Sequence, residues 1–373
     1  MHILNEKQLV ENIDRIAHYD FLNNKVFGSA YFVYQAGNLA IERCYGTISL
    51  ESDAPVTNTT LFRLASMTKP VTAVAALILV DRGLLSLDDR VDTYLPQFRD
   101  IHILDSLLND LGEPNRMPTI RDILCHCSGL GSDEIKLQRR LDSDNESIDN
   151  TIIFLTKVGL DYEPGTKQAY SGFAAFDVLT KVIELISGMD YLKFLEKEIC
   201  RPCDMMDTTF VPNMAQRKRL ADIHMCIDSE NKVFKMQDDC VFEGFPCTHY
   251  LGGAGLVSTL HDYCNFAKML LHKGKFENYR ILREETFNQL CTPQVSANIM
   301  PGSERWGLGV RVIAEETYPY LPTSAFGWSG AYGSHFWVDP INNIFAVFMK
   351  NSKVDGGAGN ESARKFEEAV YTS

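Results

Sequence analysis

Leu61-Phe-Arg-Leu-Ala-Ser66-Met-Thr-Lys69-Pro70, followed by Val71-Thr-Ala-Val-Ala-Ala-Leu-Ile-Leu-Val80, carries the reading of both fold and chemistry. Proline fits near a helix start, where backbone N–H groups lack intrahelical partners, and is costly further in. The helix therefore begins close to Ser66, with an irregular start because Pro70 disfavours the α conformation at Lys69. The run after Pro70 is apolar on every side, as in a helix buried all round, and Gly83 is placed to stop it. Ser66 then sits at the positive end of the helix, and positions i and i+3 put Lys69 on its face. A serine hydroxyl is a poor nucleophile until a base takes its proton, and a neutral amine held against it is such a base.

Ser229–Lys232 and Ser362–Lys365 share the Ser-x-x-Lys spacing. The first lies in a polar run and the second opens a charged terminal helix, so neither has a buried helix behind its lysine. Context, not spacing, selects Ser66.

Outward from this helix, an amphipathic N-terminal segment precedes a hairpin, with Val26–Gln35 and Leu39–Tyr45 joined by Ala36-Gly37-Asn38. From Ser86 the texture turns to helices and loops. Ser86-Leu-Asp-Asp and Thr119-Ile-Arg-Asp read as helix starts, 141–150 as an exposed loop or helix cap, and Phe173–Ile186 as a helix stopped by Gly188. Gly252-Gly-Ala-Gly255 marks a turn before a helix over Leu260–Leu271. Strand texture returns at Trp306–Ile313, Phe326–Val338 and Ile344–Lys350, and a helix near Ser362–Tyr371 closes the chain. The expected architecture is an α/β domain with an antiparallel sheet, residues 1–80 and 250–373, and an all-helical domain, 81–249, inserted in it. The cleft between them is the natural place for a site.

The net charge of −13 argues against a nucleic-acid surface, and the basic runs 138–140 and 217–219 read as solvated helix faces. No apolar run is long enough to span a membrane, and the N-terminus lacks a signal-peptide core, which points to the cytoplasm. Ten cysteines in 373 residues do not make a disulfide scaffold. Cys200 and Cys203 have knuckle spacing without a second pair, and Cys125-His126-Cys127 has the wrong spacing for zinc. No metal and no cofactor are expected.

A Ser–Lys pair needs a proton carrier and an oxyanion hole. Tyr170, in Glu163-Pro-Gly-Thr-Lys-Gln-Ala-Tyr170-Ser-Gly172, sits on a loop before the buried helix and is the best carrier among fifteen tyrosines. Ser66 N–H at the helix start and Gly327-Trp-Ser-Gly-Ala-Tyr-Gly333 are the candidate hole, the glycines there allowing a substrate close to the backbone or, alternatively, relieving a tightly packed strand. Ser329 is a rival nucleophile, with no lysine or histidine at helical spacing after it.

The motifs Phe62-Arg-Leu-Ala-Ser-Met-Thr-Lys69, Leu124-Cys-His-Cys-Ser-Gly-Leu130, Pro164-Gly-Thr-x-x-x-Tyr-Ser171, Gly252-Gly-Ala-Gly-Leu-Val-Ser-Thr259 and Gly327-Trp-Ser-Gly-Ala-Tyr-Gly333 occur in an order that resembles the serine β-lactamase-related superfamily. That group contains class C β-lactamases, penicillin-binding proteins and family VIII carboxylesterases. The resemblance implies Ser66 as acylated nucleophile, Lys69 as its base partner, Tyr170 as second-motif tyrosine, and the N–H groups of Ser66 and Ala331 as oxyanion hole. Gly172 stands where class C enzymes carry asparagine and Trp328 where they carry lysine, a pattern similar to the family VIII carboxylesterases. Trp328, Ser329, Gly330, Tyr332 and Gly172 are then the expected substrate contacts. The implied function is hydrolysis of small carboxylic esters; a β-lactamase or D-amino-acid peptidase, and a non-catalytic relative that only binds a peptide or small ligand, are the alternatives.

Overall fold

A computed structural model describes residues 3–133, 147–226, 233–235, 249–316 and 318–373. The Ser229–Lys232 pair, the 138–140 basic run and most of the 141–150 loop fall outside them. The core is an eight-stranded antiparallel sheet. Its strands are β1 (Gly28–Gln35), β2 (Asn38–Ser49) and β3 (Ser52–Pro55), then, after the separate short strands β4 (Leu61–Arg63) and β5 (Val257–Thr259), β6 (Glu304–Trp306), β7 (Arg311–Ile313), β8 (Phe326–Ser329), β9 (His335–Asp339) and β10 (Ile344–Lys350). The order is β6-β7-β8-β9-β10-β1-β2-β3, so the two ends of the chain meet where β1 pairs with β10. All seven residues of β10 are buried, with Ile344, Ala346 and Phe348 in one apolar cluster and Phe345, Val347 and Met349 in another. Strand alternation thus feeds two cores.

Helices α1 (Glu6–Leu22) and α7 (Glu361–Tyr371) cover the first face, Leu9, Ile13, Phe366 and Val370 packing on Tyr31 and Trp337. Helix α6 (Leu260–Leu271) covers the second, with α2 (Thr68–Asp81) in the same core. Every residue of α2 from Thr68 to Leu79 is buried. Each large aliphatic side chain so removed from water contributes about 1.5–3 kcal/mol, which is why this short helix survives a proline in its first turn. Between α2 and β5 the described chain is helical, with α3 (Ile120–Leu124), α4 (Ile148–Val158) and α5 (Ala174–Ser187) as its main elements. Two short strand pairs, Ile103–Leu104 with Asp110–Gly112 and His224–Cys226 with Val233–Lys235, interrupt it.

Three expected elements differ. Ser86-Leu-Asp-Asp is a turn, because the Asp89 carboxylate accepts the Ser86 N–H and the Ser86 hydroxyl accepts the Asp88 N–H; side chains that satisfy local backbone compete with helix. Trp306–Ile313 is a hairpin. Gly309, at φ +76°, turns it over against α2, where a Cβ would lie 2.5 Å from the Ala73 methyl. Phe326–Val338 is also two strands. The turn over Gly330–Ser334 is closed by Gly330 N–H to Ser334 carbonyl at 2.7 Å.

That turn rests on a buried ion pair. Lys350 Nζ, without solvent exposure, lies 2.8 Å from Asp355 Oδ2, and the same carboxylate accepts the Glu361 and Ser362 N–H groups at the start of α7. Burial alone would raise the Asp355 pKa, but Lys350 and Ser362 outweigh it and hold it below the usual carboxylate range. A depressed carboxyl pKa stabilises the fold above its unfolded value and loses that effect as pH falls. Asp355→Asn strands a buried ammonium and should cost about 3 kcal/mol in urea unfolding at neutral pH. The gap to wild type should shrink below pH ~4.

Candidate active site

The nucleophile candidate sits in a single 3₁₀ turn, Ala65–Met67, between β4 and α2. Ala65 adopts φ +45°, a left-handed conformation that is strained for a residue with a side chain. The surroundings hold it there. Asn351 pairs with both backbone groups of Arg63 at 2.9 Å, Tyr263 donates to the Met67 carbonyl at 2.8 Å, and the Thr68 hydroxyl accepts the Leu256 N–H.

Lys69 is fully buried. Its Nζ is 3.2 Å from Ser66 Oγ, 2.7 Å from the Gly172 carbonyl and 2.8 Å from the Gly253 carbonyl. Two N–H groups satisfy the two carbonyls, and the third position on nitrogen, proton or lone pair, faces the serine. An amine so fixed can accept the Ser66 proton without moving. Gly253 cannot be larger, since a Cβ would meet the Gly172 carbonyl at 2.8 Å and Lys69 Nζ at 3.3 Å.

Tyr170 lies on a loop, partly exposed, and its ring is 4.9 Å from Lys69 Nζ. The Trp328 indole N–H donates to the Tyr170 oxygen at 3.3 Å, leaving the phenol proton free for another acceptor. Ser66, Tyr170, Trp306, Trp328, Ser329, Gly330 and Ala331 line a cleft of about 420 Å³. The Ala331 carbonyl accepts Gly357 N–H at 3.0 Å and the Tyr332 carbonyl accepts Ser352 N–H at 2.8 Å. The Ala331 N–H has no partner within the described chain, as an oxyanion donor requires.

Other expected contacts fall elsewhere. Tyr332 is buried with Ala65 and Ile223 and does not line the cleft. Gly172 serves Lys69 through its carbonyl, and the space where its Cβ would stand is open to 4 Å. The third-motif glycines admit the chain itself: a Cβ on Gly330 would lie 2.4 Å from the Leu64 carbonyl, so its absence brings the Ala331 turn against the Ser66 turn. Among the described residues no group of three or more His, Cys, Asp or Glu side chains could hold a metal. Burial raises the pKa of Cys125, Cys127, Cys200 and Cys203 well into the thiol range.

The Beta-lactamase family matches residues 6–369. The chain belongs to that family. It is 26% identical to Esterase EstB of Burkholderia gladioli, over 99% of this chain and 96% of that one. A putative D-alanyl-D-alanine carboxypeptidase of Escherichia coli is 25% identical over 89% of this chain and 78% of its own. In fold it is similar to EstCE1, a hydrolase with promiscuous acyltransferase activity, at a TM-score of 0.85 and 22% identity over 98% and 99% of the two chains. This member of the Beta-lactamase family is a serine hydrolase. No helix among its described residues is long and apolar enough to cross a membrane.

One residue of the site carries a structural role that spacing did not reveal. His126, fully buried at φ +56°, accepts the Ala169 N–H on its carbonyl at 3.0 Å and the Ser171 N–H on Nδ1 at 3.1 Å. It grips the chain on both sides of Tyr170, with its ring 4.5 Å from the phenol and 4.4 Å from Trp306. Burial, aided by the Lys69 charge, pushes its pKa well below the ordinary value, so it is neutral in the fold. His126→Ala should lower kcat for an ester by up to about 100-fold, the scale of a catalytic group misplaced by about an ångström. Below pH ~6.5 the unfolded chain takes a proton that folded His126 refuses, so acidification destabilises wild type by up to about 1.4 kcal/mol per pH unit from this group. Urea midpoints at pH 7.5 and 5.5 should show this dependence reduced in the variant.

Proposed function

We propose that this serine hydrolase cleaves small carboxylic esters through an acyl-enzyme on Ser66. The supporting observation is the Ser66–Lys69 contact at 3.2 Å with both remaining N–H directions of Lys69 taken by carbonyls. Ser66 Oγ attacks the ester carbonyl as Lys69 takes its proton, with Tyr170 as the carrier that relays it onward, and the oxyanion rests on the Ser66 and Ala331 N–H groups. The proton returns to the leaving alcohol. Water then repeats the sequence on the acyl-enzyme and releases the acid. In this reading the cleft lies between the α/β part, 1–80 and 250–373, and the helical part, 81–249.

Ester is favoured over β-lactam or peptide by what lines the cleft. Trp328 replaces a cation, and Gly172 offers no side-chain amide. Arg311 also lines the cleft, but it is ion-paired at 2.9 Å to Glu304 and at 3.3 Å to Glu367. A hydrogen bond to a charged partner is worth about 1.5–3 kcal/mol, one to two decades of affinity, and a neutral ester does not need it.

The test joins two measurements. Ser66→Ala should abolish ester turnover and fluorophosphonate labelling while remaining folded, and intact-mass and peptide analysis should place the wild-type adduct on Ser66. Among p-nitrophenyl esters, a chromogenic cephalosporin and a D-Ala-D-Ala peptide, a short-chain ester should give the highest kcat/KM. The double variant Gly172→Asn/Trp328→Lys should narrow the gap, and a Cβ at 172 meets no neighbour within 4 Å. A cephalosporin or peptide cleaved faster than every ester would overturn the substrate class.

A further inference from the structure

Ser329 lines the cleft beside the oxyanion turn, yet its hydroxyl is engaged from behind. Antiparallel register sets it opposite His335, with Oγ 2.8 Å from Nδ1. His335 Nε2 is 3.0 Å from Glu367 Oε1 on α7. Glu367 also receives Arg311 at 3.3 Å and the Tyr318 hydroxyl at 3.0 Å. Ser329, His335 and Glu367 are each at most 2% exposed.

Proton positions follow from this chain of contacts. Burial raises the Glu367 pKa, but His335, Arg311 and Tyr318 together outweigh it and bring it to about 2. Glu367 is therefore a carboxylate, with acceptors only. The nitrogen facing it, Nε2, must carry the proton. Burial lowers the His335 pKa against the pull of Glu367, and Glu367 already has a cation in Arg311, so a second proton on the ring is not called for. Nδ1 then offers a lone pair, and the Ser329 O–H, 2.8 Å away, is the donor placed to satisfy it, although the Trp328 carbonyl pulls the other way by favouring a proton on the ring. With that proton directed inward, the Ser329 oxygen turns only lone pairs towards the cleft. Arg311 does not reverse this polarity, because it is shared by the carboxylates of Glu304 and Glu367.

We propose that the Ser329–His335–Glu367 relay makes this wall of the cleft a hydrogen-bond acceptor. Its substrates are esters with a donor, a hydroxyl or amide N–H, near the scissile carbonyl, and a carboxylate there is repelled. The substrate class rests on the ester-hydrolase reading; the tautomer does not.

Two measurements test it. In ¹⁵N-histidine-labelled protein at pH 7.5, the resonance lost in His335→Gln should show Nε2–H and an unprotonated Nδ1; an Nδ1–H tautomer or an imidazolium overturns the proposal. In kinetics, length-matched p-nitrophenyl esters bearing a hydroxyl, a methoxy or a carboxylate should rank in that order, with hydroxyl over methoxy about tenfold in kcat/KM through KM. Ser329→Ala should bring that ratio to about one, and Ser329→Thr should keep it. Equal rates in wild type, or a ratio unmoved in Ser329→Ala, overturns the proposal. If no ester is hydrolysed, the ester reading fails, and calorimetric binding of the matching amides decides the relay by the same ranking.

Discussion

The Lys69 side chain joins three separate parts of the molecule. Its amine reaches Ser66 in the 3₁₀ turn ahead of α2, the Gly172 carbonyl from the loop before α5, and the Gly253 carbonyl from the turn before β5. A buried amine without those carbonyls would lose solvation with nothing in return, so the loops cannot move away from α2 without a large penalty. The same constraint sets the glycine at 253 and brings the chain after Gly172 alongside. Thr72, one turn further along α2, repeats the tie by bonding Tyr191 and the Gly252 carbonyl, each at 2.6 Å. Polar contacts at the N-terminal end of an otherwise apolar helix therefore fix the site's geometry, and the apolar remainder supplies the burial.

Much of the fold was legible because its signals are local. Pro70, the all-round apolar run and Gly83 bound α2; Thr119 with Asp122 forms the capping box of α3; Gly188 ends α5 in the left-handed conformation. The misplaced boundaries share a cause. Trp306–Ile313 and Phe326–Val338 have strand composition throughout, and what divides each is a turn whose glycines answer to distant atoms, Ala73 for Gly309 and Leu64 for Gly330. A pattern along one strand does not contain the helix it will meet.

The site divides in the same way. The Ser66–Lys69 pair is an i, i+3 contact and visible in sequence. Ser329 and His335 are six apart, a spacing without meaning on a helix, and they meet only because a five-residue turn sets them in register. His126 gives no spacing signal towards Tyr170 at all; its grip on the flanking amides needs the tertiary path of both loops. Trp328, expected as a substrate contact, has a second role, since its indole N–H orients the Tyr170 oxygen.

The turn proposed to supply the oxyanion donor links stability to chemistry. Its Ala331 N–H is open because the surrounding carbonyls are all occupied: Gly330 by Gly333 N–H, Ala331 by Gly357 N–H, Tyr332 by Ser352 N–H. Two of those donors lie on the segment between β10 and α7, which is closed by the Lys350–Asp355 pair. A turn held on its carbonyl side points its remaining donor in one direction before any substrate arrives, and a preorganised donor is worth far more to a forming oxyanion than one that must reorient. The buried Lys350–Asp355 pair closes the segment that carries two of those donors, so it bears on the turn as well as on stability. Ala65 is the counterpart on the other side of the cleft, where a strained φ sets the Ser66 turn and the Asn351 clamp beside it absorbs the cost. Lys350 and Asn351 are neighbours in sequence at the end of β10, so one strand end steadies both halves of the expected hole.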